Sequence, residues 1–206
     1  MKKILIAIPT ARYIEGDTFK SIYDLEVPAG YETTFQCFYG YRVDQVRNLI
    51  ADWVVNGFDY LFAVDGDVTF APDTLKKMIN HDKDLVSGIY RQRLPEHKIE
   101  IFDHDQKRIK IEDIHEKGLV EIGGCGFGCV LIKRKVFEDI GYPQFEYHHA
   151  IDHKNTLSED TDFCMKALAK GFKLWCDTSI LCGHIGSTTM HVETPKFEWQ
   201  ENIQNA

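Results

Sequence analysis

The sequence carries no excess of positive charge. Its 24 Lys and Arg face 32 Asp and Glu, a formal net charge of −8 over 206 residues. That balance argues against a surface built wholly to hold nucleic acid, although Arg91-Gln92-Arg93 and Lys133-Arg134-Lys135 are local basic clusters. No apolar run reaches the roughly 18 residues of a membrane-spanning helix. There is no internal repeat, no low-complexity tract and no Pro/Gly/Ser linker, so one folded unit over 1–206 is expected. The Walker pattern of a phosphate-binding loop is missing, and so is Gly-x-Gly-x-x-Gly between a strand and a helix. The nearest pattern, Gly124-x-Gly126-x-Gly128, leads into a strand.

A secretory leader is not expected either. The apolar stretch Ile4 to Ile8 is short, and Pro9 and Arg12 interrupt it. It reads as a buried first strand, and a cytoplasmic location with reduced thiols follows for the six cysteines at 37, 125, 129, 164, 176 and 182. Cys125, Cys129, Cys182 and His184 could be gathered into a zinc site, but the spacing is not a standard one. Small buried hydrophobes are the preferred reading of these thiols.

What is present points to an α/β sheet. Lys3 to Ile8 is apolar without a break, as in a parallel strand buried on both faces. Val43, Val46, Leu49, Ile50, Trp53 and Val54 recur at helical spacing over 41–56, and Gly57 stops the run. Tyr60 to Val64 is a second short strand, Pro72 opens a short helix, and Leu85 to Tyr90 is a third strand. Such alternation implies a mostly parallel sheet with right-handed crossovers. Beyond it, 99–111 reads as a hairpin around Asp103-His104-Asp105. Leu119–Ile122 and Cys129–Ile132 flank the glycine-rich turn, Ser158 caps a helix, and two short strands lie near 172–176 and 180–182. The nucleotide half is expected over about 1–95, a small antiparallel acceptor side over about 96–190 and a polar tail over about 191–206.

The chemistry concentrates at strand ends. Asp65-Gly66-Asp67 follows a strand, where residues two apart point the same way. Two carboxylates side by side repel unless a cation joins them, and hard oxygens suit Mg²⁺ or Mn²⁺. Asp-Gly is equally an ordinary turn. Glu159, Asp160 and Asp162 open a helix, where the dipole favours acids with or without catalysis. His184, in Cys182-Gly183-His184-Ile185-Gly186, is either structural or a ligand that would favour Mn²⁺. Arg47 is either a diphosphate contact or an exposed helix charge. Pro9-Thr10-Ala11-Arg12 follows the first strand, where a base or ribose would dock. The loop 146–153, with Tyr147, His148, His149 and His153, is either a lid over the site or a solvated loop.

Taken in order, Ile-Pro-Thr, Arg-Asn, Asp-Gly-Asp, Gly-Gly-Cys-Gly-Phe-Gly, Glu-Asp and Gly-His-Ile-Gly resemble GT-A-fold, family 2-like nucleotide-sugar glycosyltransferases of the compact phage and large-virus type. The likeness runs over residues 3 to 188. It implies a metal-dependent transfer of sugar from a nucleoside diphosphate sugar, a UDP-sugar favoured, to an acceptor hydroxyl of a glycan or a modified nucleic-acid base. It assigns the metal to Asp65, Asp67 and His184 with Mn²⁺ or Mg²⁺. It places Asp65 against the ribose or sugar, and with Pro9, Thr10 and Arg12 after the first strand, Arg47 on its helix and Gly124 in the glycine-rich turn this completes the expected nucleotide-sugar set. In inverting members the base would be Asp160, with Glu159 and Asp162 as rivals. Two other readings remain: a nucleotidyltransferase, which would want a glycine-rich basic loop after the first strand, and a sugar- or nucleotide-binding module without catalysis.

Overall fold

The computed structural model describes residues 1–40, 42–93, 97–149 and 156–186. The expected polar tail and positions 150–153 of the histidine loop lie outside these residues. In chain order the elements are β1 (Lys2–Thr10), α1 (Gly16–Tyr23), β2 (Tyr31–Tyr39), α2 (Val43–Gly57), β3 (Tyr60–Val64), β4 (Val68–Thr69), α3 (Thr74–Asn80), β5 (Leu85–Ile89) and β6 (Ile101–Phe102). There follow α4 (Ile111–Ile114), β7 (Leu119–Ile122), β8 (Gly124–Cys125), β9 (Cys129–Lys133), α5 (Arg134–Ile140), β10 (His148–His149), β11 (Thr156–Leu157), α6 (Glu159–Ala169), β12 (Leu174–Leu181) and β13 (Gly183–His184).

Seven strands form the central sheet in the order β2-β1-β3-β9-β5-β12-β7. β1 lies parallel to β2 and β3, and β12 parallel to β5. β9 runs antiparallel between β3 and β5, and β7 antiparallel at the edge. The sheet is therefore mostly parallel, in an α/β architecture. Its strands come from both halves of the chain. Both faces are covered. Leu5, Ala7, Leu61 and Ala63 enter one core with α2, α5 and α6, while Ile4, Ile6, Ile8, Phe62 and Val64 enter the other with Leu75 and Met78 of α3. The period of two along β1 explains why its sequence is apolar without a break.

Several elements differ from the sequence expectation. The strand expected after the glycine-rich turn, now β9, enters the middle of the sheet, while β7 pairs with β12. The two strands expected near 172–182 are one, β12, whose register against β5 shifts between Cys176 and Leu181. α3 starts at Thr74, after Pro72. The hairpin around 103–105 closes through a bridge from Phe102 to Arg108 and through the Asp103 amide donating to the Lys107 carbonyl at 2.8 Å, and β6 also pairs with β8. α1, β2 and α5 escaped the apolar pattern. β2 is an edge strand of largely exposed residues, and α1 buries only Thr18.

The winding places the site. From β1 the chain steps to β2 on one side and then returns to β3 on the other. Ligands of such sheets bind where the winding reverses, beyond the carboxyl ends of the strands. Here that point is the seam between the end of β1, Pro9 and Thr10, and the end of β3, followed by Asp65.

Candidate active site

A cavity of about 1130 Å³ opens at this seam. Pro9, Thr10, Arg47, Asp65, Asp67, Glu159, Asp160 and His184 all line it. Residues as far apart in the chain as Pro9 and His184, 175 positions, thus line one cavity. Two candidates are not among the lining residues: Arg12, which is exposed, and Gly124. Gly124 sits in β8 against β6 and faces Gln106 and Cys164. The neighbouring glycines serve protein packing. A Cβ on Gly126 would lie 2.0 Å from Tyr90 Oη, and one on Gly123 would lie 2.0 Å from the Asp103 carbonyl oxygen. Here the need for glycine is close approach of one chain segment to another.

Asp65 and Asp67 straddle the turn after β3. The Asp65 amide donates to the Gly128 carbonyl at 3.1 Å, and the Ile185 amide to the Asp67 carbonyl at 2.7 Å. The short pairing of β13 with β4, His184 opposite Val68, brings the imidazole beside Asp67. His184 Nδ1–H donates to the Arg91 carbonyl at 2.7 Å, and Nε2 lies 3.5 Å from Asp67 Oδ1. That backbone bond selects the tautomer whose Nε2 lone pair faces the carboxylate. Two lone pairs facing each other call for a proton or a cation between them. Burial alone would lower the His184 pKa, but the Asp67 and Arg91 oxygens outweigh it and raise it. Burial pushes Asp67 up, and His184 and Arg93 more than offset it, so its pKa is lowered. Arg93 Nη1 reaches Asp67 Oδ2 at 2.9 Å from a half-exposed position. Carboxylate plus imidazole at this spacing is a donor pair that fits a divalent cation.

Asp65 is turned the other way, toward Arg47. Arg47 Nη2 donates to Asp65 Oδ1 at 3.1 Å and Nε to Glu159 Oε1 at 3.0 Å. The guanidinium stacks over Phe127 at 5.1 Å, on a cluster of Phe127, Phe145 and Phe163. Only 5% of Arg47 is exposed, so the surface-charge reading is overturned. The signal was present in the sequence. Positions 47, 50, 51 and 54 share one helical stripe, and the latter three are buried apolar residues. Asn48 beside it holds the chain after α5. Its Nδ2 donates to the Phe145 carbonyl at 2.7 Å, and its Oδ1 accepts from the Gln144 and Phe145 amides. Tyr147 follows and lines the cavity.

The three acids at the start of α6 have separate fates. Glu159, 4% exposed, is bound by Arg47. Asp162 faces away, with its Oδ2 accepting the Glu146 amide at 3.0 Å and its Oδ1 meeting His148 Nε2 at 2.9 Å. Asp160 faces the cavity. Its Oδ1 accepts from the Ser158 hydroxyl and from the Thr161 amide, the latter at 2.8 Å, while its Oδ2 has no hydrogen bond among the described residues. Ser158 is the N-cap of α6 as expected, but its hydroxyl serves Asp160 and makes no capping bond to the backbone. Burial raises the Asp160 pKa, against the Ser158 bond and the Arg47 charge that lower it. The helix dipole alone suggests the opposite direction, so desolvation wins.

Residues that sequence reasoning missed complete the far wall: Tyr90, Gln92, Arg93, Glu100, Phe102, Gln106 and Arg108. Tyr90, Gln92 and Arg93 follow β5 at the end of the expected nucleotide half, where Arg91-Gln92-Arg93 reads only as a basic cluster, and the others come from the hairpin segment beyond it. Glutamine and arginine on an irregular segment carry no periodic signal. The six cysteines are free thiols, five of them buried, with Cys129 in hydrogen-bond contact with Cys182 and the Cys164 thiol donating to the Cys125 carbonyl at 3.7 Å. These contacts keep the thiols among packed core residues, in keeping with the preferred reading as small buried hydrophobes.

The chain takes the GT-A-type fold of glycosyltransferase structures. Among solved structures, that of A197 from STIV aligns with 96% of this chain and 92% of its own, at a TM-score of 0.63 and 21% identity. GalNAc-T7, crystallised with UDP, GalNAc and Mn²⁺, aligns with 90% of this chain at a TM-score of 0.61 and 13% identity. This chain covers 44% of the GalNAc-T7 chain. No protein-family model and no curated protein matches the sequence. No helix among the described residues is long and apolar enough to cross a membrane.

Proposed function

We propose that the protein is a metal-dependent glycosyltransferase that moves a sugar from a nucleoside diphosphate sugar, a UDP-sugar favoured, to an acceptor hydroxyl with inversion. The observation that carries this is the meeting of Asp65, Asp67, His184 and Asp160 around one cavity at the winding switch point of the sheet. Pro9 and Thr10 would border the base or ribose. Asp67 and His184, with Asp65 beside them, would hold Mn²⁺ or Mg²⁺. Bound there, the ion supplies positive charge to the departing diphosphate. The presence of UDP and Mn²⁺ in GalNAc-T7 supports this choice of donor and ion.

Asp160 acts as the general base. Its Oδ2 takes the proton of the acceptor hydroxyl as that oxygen attacks the anomeric carbon and the bond to the diphosphate breaks. The raised pKa makes the carboxylate a stronger acceptor, and the Ser158 and Thr161 bonds to Oδ1 fix its orientation. Arg47 positions both sides, tying Asp65 of the donor wall to Glu159 of the acceptor wall. Glu159 is accordingly a positioning group and Asp160 the catalytic one. The acceptor, a glycan or a modified nucleic-acid base, would enter along Glu100, Phe102 and Arg108.

The test is a panel of nucleoside diphosphates and their sugars, read by thermal shift with and without Mn²⁺, followed by release of nucleoside diphosphate. One base should raise Tm in a Mn²⁺-dependent way, since binding stabilises the native state by mass action. Stabilisation by a nucleoside triphosphate with pyrophosphate release would instead make the chain a nucleotidyltransferase. Stabilisation without any release, with every acceptor supplied, would leave a binding module.

A further inference from the structure

Tyr90 follows β5 directly and stands on the wall of the cavity, 6% exposed. The turn before β9 is shaped around it. A Cβ on Gly126 would lie 2.0 Å from Tyr90 Oη, and one on Gly128 would lie 2.8 Å from its Cε1. Glycine at both positions lets the turn close over the phenol. The Gly128 amide donates to Tyr90 Oη at 3.4 Å, and the Gly128 carbonyl accepts the Asp65 amide at 3.1 Å. One residue thus ties the phenol to the turn that carries Asp65 and Asp67. On its other side the ring meets His184 edge to face, with 5.4 Å between the centroids.

The phenol has a hydrogen left to give. Its oxygen accepts from Gly128, and its own hydrogen has no acceptor among the described residues. Buried phenols normally spend that donor on a partner, so an unspent one on a cavity wall points to an acceptor atom of a ligand. Burial first, and then the charges of Asp65, Asp160 and Glu100, push the Tyr90 pKa well above its usual value, which keeps the hydrogen on the oxygen. The neighbours say what kind of ligand atom accepts it. On the reading above, the diphosphate lies against Asp67 and His184, and the acceptor hydroxyl against Asp160. The sugar in transit must bridge the two. Tyr90 packs on His184 and feels the charge of Asp160, so it borders that bridge. A neutral hydroxyl also suits acidic surroundings, because it can accept from a phenol and donate to a carboxylate.

We infer that Tyr90 is a residue that selects the donor, its Oη–H given to a hydroxyl oxygen of the transferred sugar and to no part of the nucleotide. The inference rests on the glycosyltransferase reading for the word sugar, and on the unspent phenolic hydrogen for the contact.

Isothermal titration of the full chain in Mn²⁺ tests it. UDP, GDP, ADP and CDP are titrated first, then the glucose, galactose and N-acetylglucosamine conjugates of the one that binds. Tyr90→Phe keeps the ring and removes the oxygen. It should bind the bare nucleoside diphosphate as the wild type does, and the preferred sugar nucleotide about tenfold more weakly, the share of one hydrogen bond. A merely structural phenol would loosen His184 and the glycine turn and so weaken nucleotide and sugar nucleotide alike. That result, or no change in either, overturns the inference. Deoxy analogues of the preferred sugar locate the contact. One of them should bind the wild type about tenfold more weakly than the parent and lose nothing further in Tyr90→Phe, where the contact is already gone. A wild type indifferent to the removal of every sugar hydroxyl overturns the inference even if Tyr90→Phe does not fold. A wild type that binds none of the four nucleotides sinks the transferase reading, and the role of Tyr90 with it. Nucleotide binding with an unselective Tyr90→Phe sinks the role of Tyr90 alone.

Discussion

Two acid–histidine clusters stand on either side of the first turn of α6. In one, Glu146, His148 and Asp162 bring their ligand atoms within 4.8 Å of one another. In the other, Asp67 and His184 face each other at 3.5 Å while Asp65 turns to Arg47. By spacing alone the first is the tighter metal cage. Its counter-charge is already built in, however: Lys166 Nζ lies 2.7 Å from Glu146 and 2.8 Å from Asp162, where a cation would sit. In the second cluster the buried Arg47 holds Asp65, while Asp67 is met among the described residues by Arg93, whose side chain is 55% exposed. Closeness of acids therefore does not make a metal site. A fixed internal cation closes the first cluster, and an exposed one leaves the second open to the cavity.

Asp67→Ala breaks the comparison most severely. On the proposed function, removing the carboxylate that would hold the ion should lower nucleoside diphosphate release in Mn²⁺ by about 10³-fold or more, since the ion would contribute several kcal/mol to the departing charge. Full activity in that assay would remove Asp67 from the site. Asp160→Asn comes next. It keeps the size of the side chain and should cut transfer by about 10²–10⁴-fold while leaving donor affinity in place. An anomeric centre retained in the product, read by NMR, would withdraw the need for a base.

Arg47→Ala should act on stability first. It leaves the buried Glu159 carboxylate, and Asp65 beside it, without their partner, at a cost of about 3–5 kcal/mol. Urea denaturation measures this, and a change below about 1 kcal/mol would contradict a shared ion-pair anchor. Lys166→Met sharpens the contrast between the clusters. With the internal ammonium gone, Glu146, His148 and Asp162 should become able to bind Zn²⁺, raising the variant's Tm by a few degrees at saturating metal. No metal-dependent gain over wild type would mean that their geometry, and not Lys166, keeps metal out.

The smallest effect concerns an acid–histidine pair remote from the cavity. His81 Nε2 meets Asp177 Oδ2 at 2.8 Å. Burial raises the Asp177 pKa, but bonds from His81 and Ser179 outweigh it and the net shift is downward. A depressed carboxyl pKa stabilises the fold above the unfolded value of about 3.9, and that contribution is lost as pH falls through the folded value. Asp177→Asn should therefore cost about 1 kcal/mol near neutral pH and flatten the acid limb of the stability curve. An unchanged acid limb would count against the pair.

The legible parts of the molecule were those with a period or a strand end. β1, β3 and β5 announced themselves because strands buried on both faces admit only apolar residues. Asp65-Gly66-Asp67 stood out because acids directly after such a strand have no packing reason to be there. α2 was read within two residues of its observed limits, yet the meaning of Arg47 on its buried stripe was passed over. The edge strand β2 stayed hidden because one exposed side permits Glu32, Thr34 and Gln36 among its aromatics.

By itself, then, the sequence determined the α/β class, the acids at the β3 end and the helix start that carries Glu159, Asp160 and Asp162. These are local properties, set by side-chain period and by backbone capping. Only the tertiary structure decided which of the three acids faces the cavity, that His184 reaches Asp67, and that Gly124 does not line the cavity. Each of those depends on a pairing between distant segments, β13 with β4 and β8 with β6. Such pairings are chosen by the burial of whole faces and by the matching of charges across the chain, and no short stretch of sequence holds both partners.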